Sequence, residues 1–278
     1  MTSPTPFALV DIGANLSHTS FSHDLERVVA AARQAGVAHI IVTGTDSESI
    51  RAGLELVERY EGYMTLTAGY HPHVASRFDS AAETRVKQWL DLPAVVAVGE
   101  CGLDFNRDFS PRPQQEDAFI RHLQMAAACG KPLFLHQRDA HDSFISILRE
   151  YRDQVAGGVV HCFTDERRAL FDYLDLDMYI GITGWICDER RGRHLQELVA
   201  AIPPDRLLLE TDAPYLLPRS LKPAPAQRRN EPRYLPEVLH TVARCCGRHP
   251  QQVAEETSRN AARLFRLPSV TGVTVATG

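Results

Sequence analysis

Four apolar runs in this chain end on residues that can hold a divalent cation or move a proton. One ends Val98-Gly99-Glu100-Cys101-Gly102-Leu103-Asp104, a second Phe134-Leu135-His136-Gln137-Arg138, a third Val159-Val160-His161-Cys162, and a fourth Leu209-Glu210-Thr211-Asp212. Side chains alternate faces along a strand, so the phase of these groups is informative. Val96, Val98 and Glu100 share a face; so do Phe134 and His136, Val159 and His161, and Leu208, Glu210 and Asp212. Each polar group can then stand at a rim above an inward-facing apolar layer. One carboxylate and two imidazoles, Glu100, His136 and His161, suit a divalent ion that keeps open positions for water. Such an ion lowers the pKa of water and polarises a phosphoryl or carbonyl oxygen. Asp212 is placed to orient that water and take its proton.

A lone strand-end histidine is ordinarily a hydrogen-bonded structural residue. Four separate strand ends offering ligand-type groups in phase favour the metal site. Glu210, one layer below Asp212, reads as a supporting carboxylate, and Asp11 and Asp104 are balanced between that role and loop shaping. His71 and His73, in Gly69-Tyr70-His71-Pro72-His73, either line the mouth after the third strand or form a turn with satisfied imidazoles. Arg138, two residues past a ligand, is the preferred phosphate contact. Arg107, Arg112, Arg190, Arg191, Arg193, Arg219, Lys222, Arg228 and Arg229 fall in segments on the same face, diluted by Asp108, Asp188, Glu189 and Glu231. That excess suits an anionic substrate.

These groups need a frame that brings strand ends together. Strands are expected at Phe7–Ile12, Ala38–Thr43, Thr65–Gly69, Val95–Gly99, Pro132–His136, Val159–Cys162, Met178–Ile182 and Leu207–Thr211. They are rich in Val, Ile and Leu without strict alternation, as parallel strands covered on both faces are. Helical spacing separates them: Leu25, Val28, Val29 and Ala32; Phe144, Ile147, Leu148 and Tyr151; Leu195, Leu198, Val199 and Ile202. Eight such units in roughly 250 residues predict an α/β fold of the (β/α)8 TIM-barrel type, whose active sites lie at the C-terminal ends of the strands. An open doubly wound sheet is the rival, but no Gly-x-Gly-x-x-Gly follows the first strand. Pro214–Pro236 is irregular, and helices are expected over Leu235–Cys245 and Pro250–Phe265. The expected organisation is one hydrolase domain over residues 1–267 and a flexible tail over 268–278.

Composition narrows the partners. The chain has 278 residues, 44% hydrophobic and 23% charged, enough for a sizeable core. A net charge of −5 argues against a coat protein for duplex DNA but not against an enzyme with a local basic cleft. No apolar run approaches the roughly 20 residues of a membrane span, and Met1–Pro6 lacks the layout of a secretory signal. None of the six cysteines forms a Cys-x-x-Cys pair, so reduced structural thiols and a cytoplasmic location are expected.

The segments 69–73, 98–105, 161–164, 179–184 and 210–216, in that order, resemble the TatD family of metal-dependent deoxyribonucleases. The resemblance runs from Asp11 to about Phe265, and segments 186–192 and 228–232 narrow it within the family. It implies a TIM barrel and a 3′-to-5′ exonuclease of single-stranded DNA, and of RNA as a second substrate, with a role in DNA repair. Magnesium is the implied ion, with manganese and zinc as alternatives. Glu100, His136 and His161 would be metal ligands and Asp212 a ligand or water-orienting acid, with His71, His73 and Arg138 binding substrate. No membrane association is expected, and the chain is expected to act as a monomer.

One departure matters. Many relatives carry Asp-x-His-x-His after the first strand; here the stretch is Asp11-Ile12-Gly13-Ala14-Asn15. One strong ion is therefore expected, with Asn15, Asp212 and substrate oxygens left for a weak second. Aromatics near the mouth, Phe105, Phe163, Trp185 and Tyr215, either stack an unpaired base or pack in the rim. The competing activity on the same barrel is ester or amide hydrolysis, such as deacylation of aminoacyl-tRNA. A binding module without catalysis is the non-enzymatic reading, against which the joint presence of Glu100, His136, His161 and Asp212 counts.

Overall fold

The computed structural model describes residues 7–226 and 228–267. Eight strands, β1 (Leu9–Ala14), β2 (Val37–Val42), β3 (Met64–Ala68), β4 (Val95–Asp104), β5 (Leu133–Arg138), β6 (Gly158–Val160), β7 (Tyr179–Ile182) and β8 (Leu207–Leu209), pair in parallel and in chain order. The ring closes at the mouth through an Ala14–Ala213 bridge. There Asn15 N–H donates to the Ala213 carbonyl at 2.7 Å and Asp212 N–H to the Gly13 carbonyl at 2.8 Å. Seven helices alternate with the strands: α1 (Leu25–Gln34), α2 (Ser47–Arg59), α3 (Ser80–Leu90), α4 (Arg112–Cys129), α5 (His141–Tyr151), α6 (Arg167–Asp175) and α7 (Arg193–Leu198). After β8 come α8 (Leu235–Cys245) and α9 (Pro250–Phe265). This is the expected (β/α)8 barrel. The tail over 268–278 lies outside the described residues.

Local chemistry sets the joints. Asp46 starts α2 by accepting from the Glu48 and Ser49 amides, and the Ser49 hydroxyl accepts from the Asp46 amide in return. The apolar stripes face inward as their spacing requires: Val28, Val29 and Ala32 on α1, and Phe144, Ile145 and Leu148 on α5 are buried.

Two apolar layers result. Val10, Ile12, Ile41, Val96, Phe134, Val159, Tyr179 and Leu208 fill the barrel interior together with Ala261 and Phe265 of α9. The Asn260 side chain donates to the carbonyls of Pro204 and Leu207, at the start of β8. Helix α9 therefore plugs the end of the barrel opposite the ligand-type residues. The larger cluster lies between strands and helices.

Strict alternation fails in β4. Val96 and Ala97 both join the interior cluster, Val98 joins the outer one, and the pairing with β5 slips between Val98 and Cys101. Glu100 thus reaches the mouth through a register irregularity, not by sharing a face with Val98. Gly102 is part of that irregularity: at φ 139° an added Cβ would lie 1.9 Å from the His136 carbonyl oxygen. The chain also leaves the strand after Leu209, and Asp212 has a left-handed φ of 55°. A turn, not alternation with Leu208 and Glu210, delivers Asp212.

Candidate metal centre

Glu100 is the hub of the mouth. Its Oε1 lies 2.8 Å from His136 Nδ1, 2.8 Å from His161 Nε2 and 3.3 Å from His71 Nε2. Its side chain is 5% exposed, so the charge is little screened by solvent. Burial pushes the carboxyl up, but His161 and His71 together with hydrogen bonds from His136 and His161 outweigh it and hold Glu100 well below 4.5. Burial works against a charged His161 as well, yet Glu100 and Glu210 raise its pKa well above 6.5.

Among the described residues, one ligand atom from each of His71, Glu100 and His136 lies within 4.8 Å of the others. That group brings in His71 and leaves out His161 of the expected Glu100, His136 and His161, although His161 Nε2 also lies 2.8 Å from Glu100 Oε1. The donor set fits a divalent ion of intermediate softness. One further atom supports that fit: His136 Nε2 is buried without a hydrogen-bond partner, with Asp104 Oδ2 3.4 Å away.

The loop carrying His71 is braced from below. The His71 amide donates to the Thr45 carbonyl at 2.9 Å, and the Tyr70 amide to His122 Nε2 at 3.0 Å. His122 Nδ1 in turn donates to the Ala118 carbonyl at 2.6 Å, so the ring must stay neutral with its proton on Nδ1. Burial lowers its pKa to about 4. Because that lies below the ordinary 6.5, the unfolded chain takes up the proton first. Stability is fully present above pH 6.5 and falls from there to about pH 4, by about 3 kcal/mol from this ring. Urea unfolding across that range is expected to show the loss, with a shallower pH dependence in His122→Gln. Parallel curves for the two proteins would contradict the assignment.

Glu210 supports His161. It is fully buried, accepts from the Cys162 amide at 2.5 Å with Oε1, and lies 3.3 Å from His161 Nδ1 through Oε2. Two glycines give it room. A Cβ on Gly13 would sit 2.6 Å from Oε2, and one on Gly181 2.6 Å from Oε1. Gly13 is one of the positions that lacks the histidine of Asp-x-His-x-His relatives, and Glu210 occupies the adjoining space.

Asp212 accepts from Asn15 Nδ2 at 3.0 Å. Burial first, then Glu100 and Glu210, push its carboxyl up to about 7, against the pull of His161. The remaining carboxylates shape loops. Asp11 accepts from the Thr211 amide and hydroxyl at 2.9 and 2.6 Å, tying β1 to the end of β8. Asp104 accepts from the amides of Asn106 and Arg107 and lies 2.8 Å from His73 Nε2, which places His73 one step outside the hub.

The basic residues separate into two groups. Arg138 is exposed at the end of β5, and among the described residues no carboxylate pairs with its side chain. Arg112 is held by Asp108, Arg190 and Arg191 by Asp188, and Arg229 by Asp24 and Glu231. Arg229 is thus a structural strut between the segment after β8 and the start of α1, not part of a cationic face. His71 lies nearer Glu100 than its place in Gly-Tyr-His-Pro-His requires. Its spacing, two residues past a strand and before a proline, was the available signal.

Barrel and mouth together define a hydrolase fold with a candidate His/Glu/His metal centre. Comparison with known proteins narrows the class: the model of the TatD-related DNase family matches residues 10–266, and the chain belongs to that family. The 3′-5′ ssDNA/RNA exonuclease TatD of Klebsiella pneumoniae is 49% identical over 265 residues, 95% of this chain and 100% of the relative. The protein of the same name from Edwardsiella piscicida is 50% identical over 259 residues, covering 93% and 100%. Among solved structures, YJJV, a TatD homologue from Escherichia coli, superposes with a TM-score of 0.86 at 28% identity, covering 94% of this chain and 99% of that one. Membership makes this chain a hydrolase of ester bonds. No helix among the described residues is long and apolar enough to cross a membrane.

Proposed function

We propose that the chain is a metal-dependent 3′-5′ exonuclease that hydrolyses phosphodiester bonds of single-stranded DNA and, secondarily, RNA. The observation that carries this reading is the convergence of three imidazoles on Glu100 at the mouth of the barrel, in a chain about half identical to exonucleases of that name. Glu100, His136 and His161 hold the ion, with His71 as a further ligand. Magnesium is the proposed ion, and the imidazole-rich donor set also admits manganese or zinc. A divalent ion here supplies Lewis acidity toward a phosphoryl oxygen and toward water.

The chain's own groups do the rest. Asp212, oriented by Asn15, accepts a proton from the attacking water. His73 and Arg138 steady the phosphate from the rim. Glu210 keeps the His161 ring turned with Nε2 toward Glu100. Glu210→Gln is accordingly expected to weaken manganese binding by about 10- to 100-fold, as loss of such a supporting carboxylate does. Calorimetric titration tests it, and unchanged affinity would show that Glu210 only fills space.

Residues 1–267 are proposed as one hydrolase domain. All six cysteines are free thiols, which suits a reducing cytoplasm, and one chain supplies every group assigned to the site, which suits a monomer. The direct test uses single-stranded oligonucleotides labelled at either end. Release of the 3′ label first, dependent on added metal and stopped by EDTA, is expected. Release from the 5′ end, or cleavage indifferent to EDTA, would overturn the reading.

A further inference from the structure

Two aromatic rings at the mouth are left open to solvent. Phe109 is 65% exposed and Tyr215 51%, more than any other large apolar side chain among the described residues. Neither exposure comes from a loose loop. The segment around Phe109 is tied at both ends: Asp104 accepts from the Asn106 and Arg107 amides, and the Ser110 hydroxyl donates to the His73 carbonyl at 3.0 Å. Tyr215 follows the turn at Asp212, its amide donating to the Asp212 carbonyl at 2.9 Å, and Asn230 N–H donates to the neighbouring Pro214 carbonyl at 3.0 Å.

The two rings stand on opposite sides of the hub. Phe109 meets His73 edge-on at 4.8 Å, His73 meets His71 at 4.2 Å, and His71 reaches Glu100 at 3.3 Å. Tyr215 lies across from them, three residues beyond Asp212 on the segment after β8, the strand facing β4 in the ring, with His18 edge-on at 5.9 Å. Other aromatics near the mouth are buried or capped by an arginine. Phe163 is buried, Arg112 covers Phe105 at 4.3 Å, and Arg191 covers Trp185 at 4.8 Å.

We propose that Phe109 and Tyr215 are paired stacking platforms for two unpaired nucleobases, one on each side of the phosphate held at the hub. The inference rests on the nucleic-acid reading of that site and adds how the strand is gripped. A stacked base must be free of its complement, so the pair confers preference for single strands with little preference among bases, since every base has a π-face. Rings held in place before binding lose little freedom when a base arrives.

Binding can be measured apart from cleavage. The probe is a fluorescein-labelled hexamer of thymidylate with phosphorothioate linkages that resist cleavage, titrated with manganese present against wild type, Phe109→Leu and Tyr215→Leu; an abasic hexamer with the same linkages serves as control. Because both rings are exposed, leucine is expected to leave the thermal melt unchanged. Each variant is expected to bind the thymidylate hexamer about tenfold more weakly, a loss of about 1.4 kcal/mol. Phe109→Tyr and Tyr215→Phe should restore it, and all the proteins should bind the abasic strand equally. Wild-type affinity in both leucine variants, an abasic strand bound as tightly as the hexamer, or no binding by wild type would overturn the proposal. Metal-dependent cleavage by wild type is scored separately. Its absence beside ring-dependent binding sinks the hydrolase reading alone, and its presence beside ring-independent binding sinks the platforms alone.

Discussion

Replacing Glu100 by alanine is expected to lower kcat on a single-stranded oligonucleotide about 1,000-fold or more, with little change in the thermal melt. Loss of a carboxylate that only orients a ligand costs 10- to 100-fold, and Glu100 is the atom on which His71, His136 and His161 converge. Little packing is lost, because the partners of the carboxylate are imidazoles. His71 is already neutral, burial having lowered its pKa to about 4, and Glu210 and Asp104 remain beside His161 and His136 to balance their charge. The variant should therefore fold, fail to bind manganese in calorimetry and fail to cleave. Activity within tenfold of wild type would remove Glu100 from the mechanism.

The second large effect is on the fold itself. Gly102→Ala is expected to prevent accumulation of folded protein or to lower stability by more than about 4 kcal/mol, a size that needs a named steric cause. The cause is direct: at φ 139° the new Cβ would lie 1.9 Å from the His136 carbonyl oxygen, and backbone on a paired neighbouring strand cannot swing aside. Relief requires β4 and β5 to separate where Glu100 and His136 must meet. Any folded fraction should thus have lost activity as well. Urea unfolding read by circular dichroism measures the first effect, and a melt within a few degrees of wild type would contradict it. The two glycines that bracket Glu100 and Cys101 therefore serve close strand approach as much as loop freedom.

Why so much of this could be read beforehand follows from where barrel chemistry sits. Ligand-type residues terminate apolar runs, so Glu100, His136 and His161 carry a linear signal, and the (β/α)8 repeat is a pattern of short runs. Both terminal helices were bounded correctly because Pro250 opens one and the amphipathic spacing of Val238, Leu239 and Val242 marks the other. The failures were three-dimensional. Alternation alone puts Glu100 on the face of Val98, but the slip beyond Val98 re-aims the strand. The sequence leaves His71 beside the substrate or in a turn, because nothing in Gly-Tyr-His-Pro-His shows that Thr45 and His122 tie its loop against Glu100. Arg229 reads as part of a basic face because nothing local shows that Asp24, distant in sequence, clamps it together with nearby Glu231. Phe109 carries no signal in the sequence, because exposure has no periodicity.

The claim beneath all of this is that Glu100, His136 and His161, with His71, surround a single cation. Anomalous diffraction from crystals soaked in manganese tests it directly. The account predicts one strong peak within coordination distance of Glu100 and His136, lost in Glu100→Ala crystals. A peak elsewhere in the barrel, or an undiminished peak without Glu100, would contradict it.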